Sequence, residues 1–321
     1  MMKQIVQCVP NISEGRDLDK IQYIVEPLKD KEGFKLISVE PDKDYHRSVI
    51  TLIGNPESMI EPLLEFFKRA EEKIDMNLHH GEHARMGAVD VVPFIPISNI
   101  TIEECVDHAK QLAEKVASTL NISIFLYAKA AQDPLRVNLP DIRKGEFEQM
   151  SDKIKDPAWK PDFGPSVMHK TFGVTAIGAR IPLVAYNIDL DTSDVKIASS
   201  IAKAIRQSSG GFAYIQAGPV FLEERGHVQV TMNILDFKKN PMYRIFETVQ
   251  MEANRYHLKV TGSEVVGLLP LDALISSVRY YCLVDDISFS KTLPIKDIVD
   301  LAIKYLKLRD FDVLKVIEAN L

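Results

Sequence analysis

The chain has 321 residues, 46% of them hydrophobic and 26% charged, with a formal net charge of −6; this is an ordinary globular composition, long enough for two domains with a core each. The acidic balance, without a basic run, argues against a nucleic-acid surface, and no apolar run approaches the ~18 residues of a membrane span. Cys8, Cys105 and Cys282 are odd in number and far apart, and the N-terminus carries no leader pattern. The expectation is a reduced, cytoplasmic protein with no disulfide framework, no nucleic-acid partner and no membrane contact.

In chain order, Gln4–Val9 is β-rich and stops at Pro10-Asn11, and Ser13–Arg16 is a polar loop. Asp17–Lys29 carries Ile21, Ile24, Val25 and Leu28 at helical spacing, with Pro27 placed to end the helix in its last turn. Strands follow at Phe34–Val39 and Ser48–Ile53, separated by the charged segment Glu40–Arg47. A helix runs from Asn55-Pro56 to about Ile74, and a strand covers Val89–Ile95. This β-α-β-β-α-β order is that of ferredoxin-like units; a helix over Thr101–Leu120 and a strand over Ile122–Ala128 extend it.

Asp133–Gly173 holds Pro134, Pro140, Pro157, Pro161 and Pro165 and the sole tryptophan, Trp159. It reads as an ordered interdomain connection, with Asp141–Met150 the one proline-free stretch long enough for a helix. Trp159 reads as a packing anchor. Leu183–Ile188, Ile215–Leu222, Val228–Leu235 and a segment ending at Val266 are strands; Ser193–Gln207 and Pro241–His257 are helices, with Leu271–Tyr281 and Ile295–Leu306 added. The fold expectation is α+β: two ferredoxin-like (βαββαβ) subdomains, residues 1–180 and 181–321, with a cleft between them as the ligand site.

The chemistry concentrates in His79-His80-Gly81-Glu82-His83-Ala84-Arg85-Met86-Gly87-Ala88-Val89-Asp90, where three of the eight histidines sit between a helix and a strand. Three readings stand side by side. His79, Glu82 and His83 satisfy the H-x-x-E-H zinc pattern, but Gly81 weakens any helix there and a third ligand is unspecified. One neutral histidine can instead act as a general base, oriented by Glu82 or Asp90, with Arg85 binding an anionic substrate. The plainest reading is a solvated loop.

Gly81-Glu82-His83-Ala84-Arg85-Met86-Gly87-Ala88-Val89-Asp90-Val91-Val92-Pro93-Phe94-Ile95-Pro96 resembles the G-E-H-P-R-M-G-A-x-D-x-x-P-F-x-P segment of glutamate formiminotransferases. The resemblance continues, in order, in Val9–Gly15, Pro161–Pro165, Thr175–Arg180, Asn233–Phe237 and Gly262–Leu268. It implies transfer of the formimino group from N-formimino-L-glutamate to N5 of tetrahydrofolate as co-substrate, without a metal, in a homodimer of α+β subdomains. The cyclodeaminase activity of bifunctional members is expected to be absent.

The resemblance places the catalytic histidine on His83, with His79 and His80 as loop residues. It puts the folate loop on Gly164, Pro165, Ser166, Val167, Met168, His169, Lys170, Thr171, Phe172 and Gly173. Both substrates carry carboxylates, so Arg47, Arg85 and Arg180, each in or beside a motif block, are the candidates to hold them. Glu40 stands where the family generally carries Asp, and His46 where it carries Asn; Glu40 is expected to orient a group or relay protons. Formyl transfer or 5-formyltetrahydrofolate processing at the same site, and a non-catalytic folate-binding protein, are the alternatives.

Overall fold

Pro10 divides the first strand of the chain, because it has no N–H to give to a sheet ladder. The computed structural model, which describes residues 4–290 and 293–321, places β1 (Ile5–Cys8) before this break and β2 (Asn11–Ile12) after it. There follow α1 (Leu18–Val25), β3 (Phe34–Asp42), β4 (Arg47–Gly54), α2 (Pro56–Lys73), β5 (Val89–Ser98), α3 (Ile102–Leu120), β6 (Ser123–Ala128), α4 (Leu139–Arg143), α5 (Glu146–Lys153) and β7 (Val174–Ala179). Pro27 sits in a tight turn directly after α1 and closes it, as expected. Asn55 caps α2 by accepting the Ser58 N–H at 3.2 Å, with Pro56 at the first helical position.

These strands form one sheet. β3 lies antiparallel to β4, β4 to β1 and β2, and those to β5; β5 then runs parallel to β7, and β7 parallel to β6. Leu63, Phe66, Phe67 and Ala70 of α2 and Leu112, Ala113 and Val116 of α3 belong to one buried cluster with Ile50, Leu52, Val92, Phe94, Leu126 and Ile177 from the strands. A second cluster joins Val91, Phe125, Tyr127 and Ala176 to Ile142 of α4 and Met150 of α5. Burial of Ile142 and Met150, each wholly inaccessible, contributes roughly 1.5–3 kcal/mol apiece and pins α4 and α5.

Two expectations need correction. Asp133–Gly173 is not an interdomain connection: it lies within the first unit, which extends through Ile181, and leads into β7, inserted between β5 and β6. Within it, Gly145 at φ +90° divides the proline-free stretch Asp141–Met150 between α4 and α5. Glu40 is likewise not in a loop, since β3 continues to Asp42 and sets Glu40 opposite Val49.

The second unit, Pro182–Leu321, comprises β8 (Val184–Leu190), α6 (Val195–Ile205), β9 (Ile215–Leu222), β10 (His227–Ile234), α7 (Met242–Asn254), β11 (Val260–Val266), α8 (Leu271–Val284) and α9 (Ile295–Leu306). Its antiparallel sheet has the order β11-β8-β10-β9. Tyr186, Ile188, Val230 and Ile234 are buried with Ile201, Ile245, Val249, Leu274 and Val278 of the helices. Both units are therefore α+β. Among the described residues no helix is long and apolar enough to cross a membrane.

Candidate active site

His83 lies in the irregular segment between α2 and β5, which is fastened at both ends. Met76 N–H donates to the Thr171 carbonyl at 2.8 Å, and Ala88 N–H to the Phe172 carbonyl at 2.7 Å. The Ser13 hydroxyl donates to the Gly87 carbonyl at 2.8 Å, while the Ser48 hydroxyl holds the Glu14 carbonyl at 2.6 Å. The Ser13–Gly15 motif thus ties the histidine loop to β4.

Within the loop the histidines do different work. His79, only 4% exposed, donates from Nε2 to the His46 carbonyl at 2.7 Å and accepts Arg85 Nε–H on Nδ1 at 3.2 Å. Its ring stacks on His46 at 4.1 Å, and burial pushes its pKa down to about 4. His79 is accordingly a buried structural element, where a solvated loop residue was expected. Both its nitrogens are occupied in this structure and the segment is not helical, so His79 and His83 do not share the helical face that the H-x-x-E-H pattern uses. No group of three or more potential ligands is assembled among the described residues.

His46 takes φ +49°, the left-handed conformation that favours Asn, which gives a physical reason for an amide to suit that position. Its Nδ1 donates to the His80 carbonyl at 2.8 Å and its Nε2 lies 3.1 Å from Glu14 Oε1. Burial opposes ionisation of Glu14, but the His46 ring and the Arg16 and Asp17 N–H groups outweigh it and hold the carboxyl at about 2.

His83 differs from both. It is half-buried, and neither ring nitrogen has a hydrogen-bond partner among the described residues. Burial, then the charges of Arg47, Arg143, His79 and Arg85, push its pKa well below the ordinary histidine value. Near neutral pH it is an unprotonated imidazole in a cationic surround, suited to accept a proton.

The sequence candidates around it divide. Arg85 is 6% exposed and all five N–H groups are committed: Nε and Nη2 to His79, Nη1 to Glu146 and Glu148, Nη2 to Glu148 at 2.5 Å. It locks the loop to α5, and in this structure every one of its donors is taken up by the protein. Glu82 is exposed and makes no side-chain bond to His83; its amide is held by the Asp44 carbonyl. Asp90, 1% exposed, does not orient His83 either: Oδ1 accepts Met86 N–H at 2.8 Å and Oδ2 accepts both Nε (2.9 Å) and Nη2 of Arg143.

Arg47 and Arg180 remain available. Arg47 faces Asp42 across the β3–β4 ladder, on the same sheet face as Glu40 and Val49. Its guanidinium lies 5.2 Å over the Tyr45 ring, and its buried Nε has no acceptor among the described residues. Arg180 is half-buried beside the Tyr127 hydroxyl and reaches no carboxylate among the described residues; burial lowers its pKa. Arg143 and Tyr127, absent from the sequence candidates, join these groups: Arg143 acts electrostatically on His83, Arg47 and Tyr127 alike.

The 164–173 segment also divides. Gly164 (φ +82°), Ser166, Val167 and Lys170 are exposed. Ser123 Oγ donates to the Pro165 and Val167 carbonyls at 2.6 and 3.0 Å. Met168 packs on both core clusters, and the Lys170 and Thr171 carbonyls hold Asn77 and Met76. His169 accepts the Phe172 N–H on Nδ1 at 3.1 Å and faces Glu71 on α2. Phe172 is wholly buried against Phe67, and Gly173 is buried against Gly87. These last two pack in the core.

Comparison with known proteins follows the same partition. Residues 5–180 match the family described as "Formiminotransferase domain, N-terminal subdomain" and residues 185–319 match "Formiminotransferase domain". The glutamate formimidoyltransferase of Streptococcus pyogenes is 48% identical over 91% of this chain and 98% of its own. That of Thermoplasma acidophilum is 43% identical over 86% and 92%. The mouse formimidoyltransferase-cyclodeaminase is 40% identical over 88% of this chain but only 53% of its own. On these matches the chain belongs to the formiminotransferase family.

Proposed function

We propose that this protein transfers the formimino group of N-formimino-L-glutamate to N5 of tetrahydrofolate, releasing L-glutamate. The observation that carries this reading is His83, with both ring nitrogens unpartnered among the described residues and its neutral form favoured. N5 attacks the amidine carbon and its proton passes to His83; the imidazolium then returns a proton to the glutamate nitrogen as the carbon–nitrogen bond to glutamate breaks. Arg47 and Arg180 receive substrate carboxylates, and the exposed part of Gly164–Lys170 receives the folate. Glu40, on the face that carries Arg47, is assigned proton relay or orientation. The chemistry requires no metal.

Purified protein is expected to turn over this substrate pair equally with and without a chelator; no turnover overturns the reading. The family resemblance further supports a cytoplasmic homodimer, which light scattering on the purified chain checks for oligomeric state.

A further inference from the structure

Arg143 was not singled out by the sequence, yet it shares the buried carboxylate of Asp90 with the loop that carries His83. It sits at the C-terminal end of α4 and is held on one edge only: Nε and Nη2 both donate to Asp90 Oδ2, while Nη1 has no partner among the described residues. The side chain of Arg143 is 16% exposed and that of Asp90 is 1% exposed, so the carboxylate is dry while the guanidinium-bearing side chain keeps some access to solvent. Asp90 Oδ1 meanwhile holds the Met86 amide, three residues beyond His83. One buried carboxylate therefore sets both the guanidinium and the base-bearing loop.

The platform under Arg143 is rigid. Lys153 Nζ donates to the Asp141, Ile142 and Lys144 carbonyls at 2.6, 2.7 and 3.1 Å, which closes the end of α4, and the ammonium rests 3.8 Å above the Trp159 ring. Ile142 anchors the same turn in the core. The His83 loop is tied toward both guanidinium groups: its His80 and Glu82 backbone bonds to His46 and Asp44, directly before Arg47, and its Met86 amide bonds to Asp90, which holds Arg143 and not Arg47. Arg47 keeps a buried Nε without an acceptor among the described residues. Like charges gathered beside an unprotonated base, with donors left open, form a site prepared for an anion.

We propose that the free Nη1 edge of Arg143, together with Arg47, clamps a carboxylate of the amino-acid donor beside His83, so that this anion both positions the donor and favours protonation of the base. The inference rests on the formimino-transfer reading and adds a specificity residue to it. A guanidinium fixed on one edge offers two parallel N–H groups to a carboxylate, a geometry that lysine cannot copy. The carboxylate offsets the cationic surround of His83 as it accepts the proton, so a donor lacking carboxylates loses rate as well as affinity.

The test uses Arg143→Gln and Arg143→Lys, the latter keeping a cation on Asp90 should the former fail to fold. Binding of N-formyl-L-glutamate by calorimetry is expected to weaken tenfold or more in both. KM for formiminoglutamate is expected to rise by a similar factor, with KM for tetrahydrofolate unchanged. The parent's preference for formiminoglutamate over formamidine, a donor without carboxylates, should shrink tenfold or more in both variants. The acid limb of kcat/KM should move to higher pH in Arg143→Gln. Unaltered N-formyl-L-glutamate binding, or a loss expressed in KM for tetrahydrofolate instead, overturns the proposal. Binding by the parent without turnover would instead sink the transferase reading while leaving the clamp standing.

Discussion

Gly173 lies against Gly87 so closely that neither tolerates a side chain. A Cβ on Gly87 would stand 2.1 Å from the Val174 carbonyl oxygen, and one on Gly173 would stand 2.2 Å from that of Met86. The two glycines pair as an isolated bridge and join the end of the 164–173 loop to the base of the His83 loop. Two motifs far apart in sequence are one structural unit here.

Substitution should show this. Gly87→Ala is expected to destabilise by about 2–4 kcal/mol, since the clash is with backbone and cannot be relieved by a rotamer change. Gly173→Ala adds the strain of φ +85°, roughly 1 kcal/mol more. Urea midpoints read the effect; a parental midpoint for either variant contradicts the close approach. Gly210, at φ +90° with nothing within 4 Å of its Cβ position, is the control and should lose only the strain term.

Arg85 gives a second prediction. Arg85→Met leaves His79 Nδ1 and the His79 carbonyl without their donors and removes the link to Glu146 and Glu148. Because both glutamates are substantially exposed, they regain water, and the expected loss is about 2–3 kcal/mol, below that for a fully buried pair. Arg85→Lys keeps the charge but cannot fan five donors, so thermal melting should place it between Met and the parent. Activity should fall in step with stability; lost turnover with an unchanged melting temperature would return Arg85 to the substrate.

Legibility in the sequence followed the physics of each part. The α+β class was readable because most strands and helices carry strong hydrophobic periodicity, and Ile215–Leu222 and Ile295–Leu306 were placed to the residue. β7 was not, because Val174–Ala179 is buried on both faces and built of small residues, which leaves no alternation to detect. Arg143 was invisible for a different reason. It sits on a five-residue helix containing Pro140, and its meaning comes from Asp90, on a distant strand. Arg85 shows the reverse: its place beside His83 suggested a substrate ligand, and nothing in the sequence signals that Glu146 and Glu148 of α5 take up its donors.

His79 makes stability depend on pH. Its folded pKa, about 4, lies below the ordinary value of 6.5, so between these values the unfolded chain binds a proton that the native state does not. Stability therefore falls as pH drops from 6.5 to 4 and gains no further penalty from this group below 4. The span corresponds to at most about 3 kcal/mol. Glu14, held at about 2 against 4.5, contributes stability above pH 4.5 that is lost as pH falls toward 2. In His79→Gln, Nε2 can still donate to the His46 carbonyl and Oε1 still accept from Arg85, so the fold should persist. Its stability–pH curve should lose about one proton of slope between pH 4 and 6.5; an undiminished slope excludes His79 as the source.

The proposed transfer is tested by substitution of its base, His83. Its ring makes no hydrogen bond among the described residues, so His83→Ala and His83→Asn should melt like the parent while kcat falls by roughly 10²–10⁴. Burial and the surrounding guanidinium groups place the pKa of the free base well below 6.5, so kcat/KM should stay level from neutral pH to below 6.5 before its acid limb begins. Arg47→Gln removes one of those charges, and the acid limb should then move to higher pH as His83 becomes more basic. The two profiles, measured at saturating tetrahydrofolate, separate a base from a binding residue. Were His83 only a ligand contact, the Arg47 change would alter KM and leave the limb where it was.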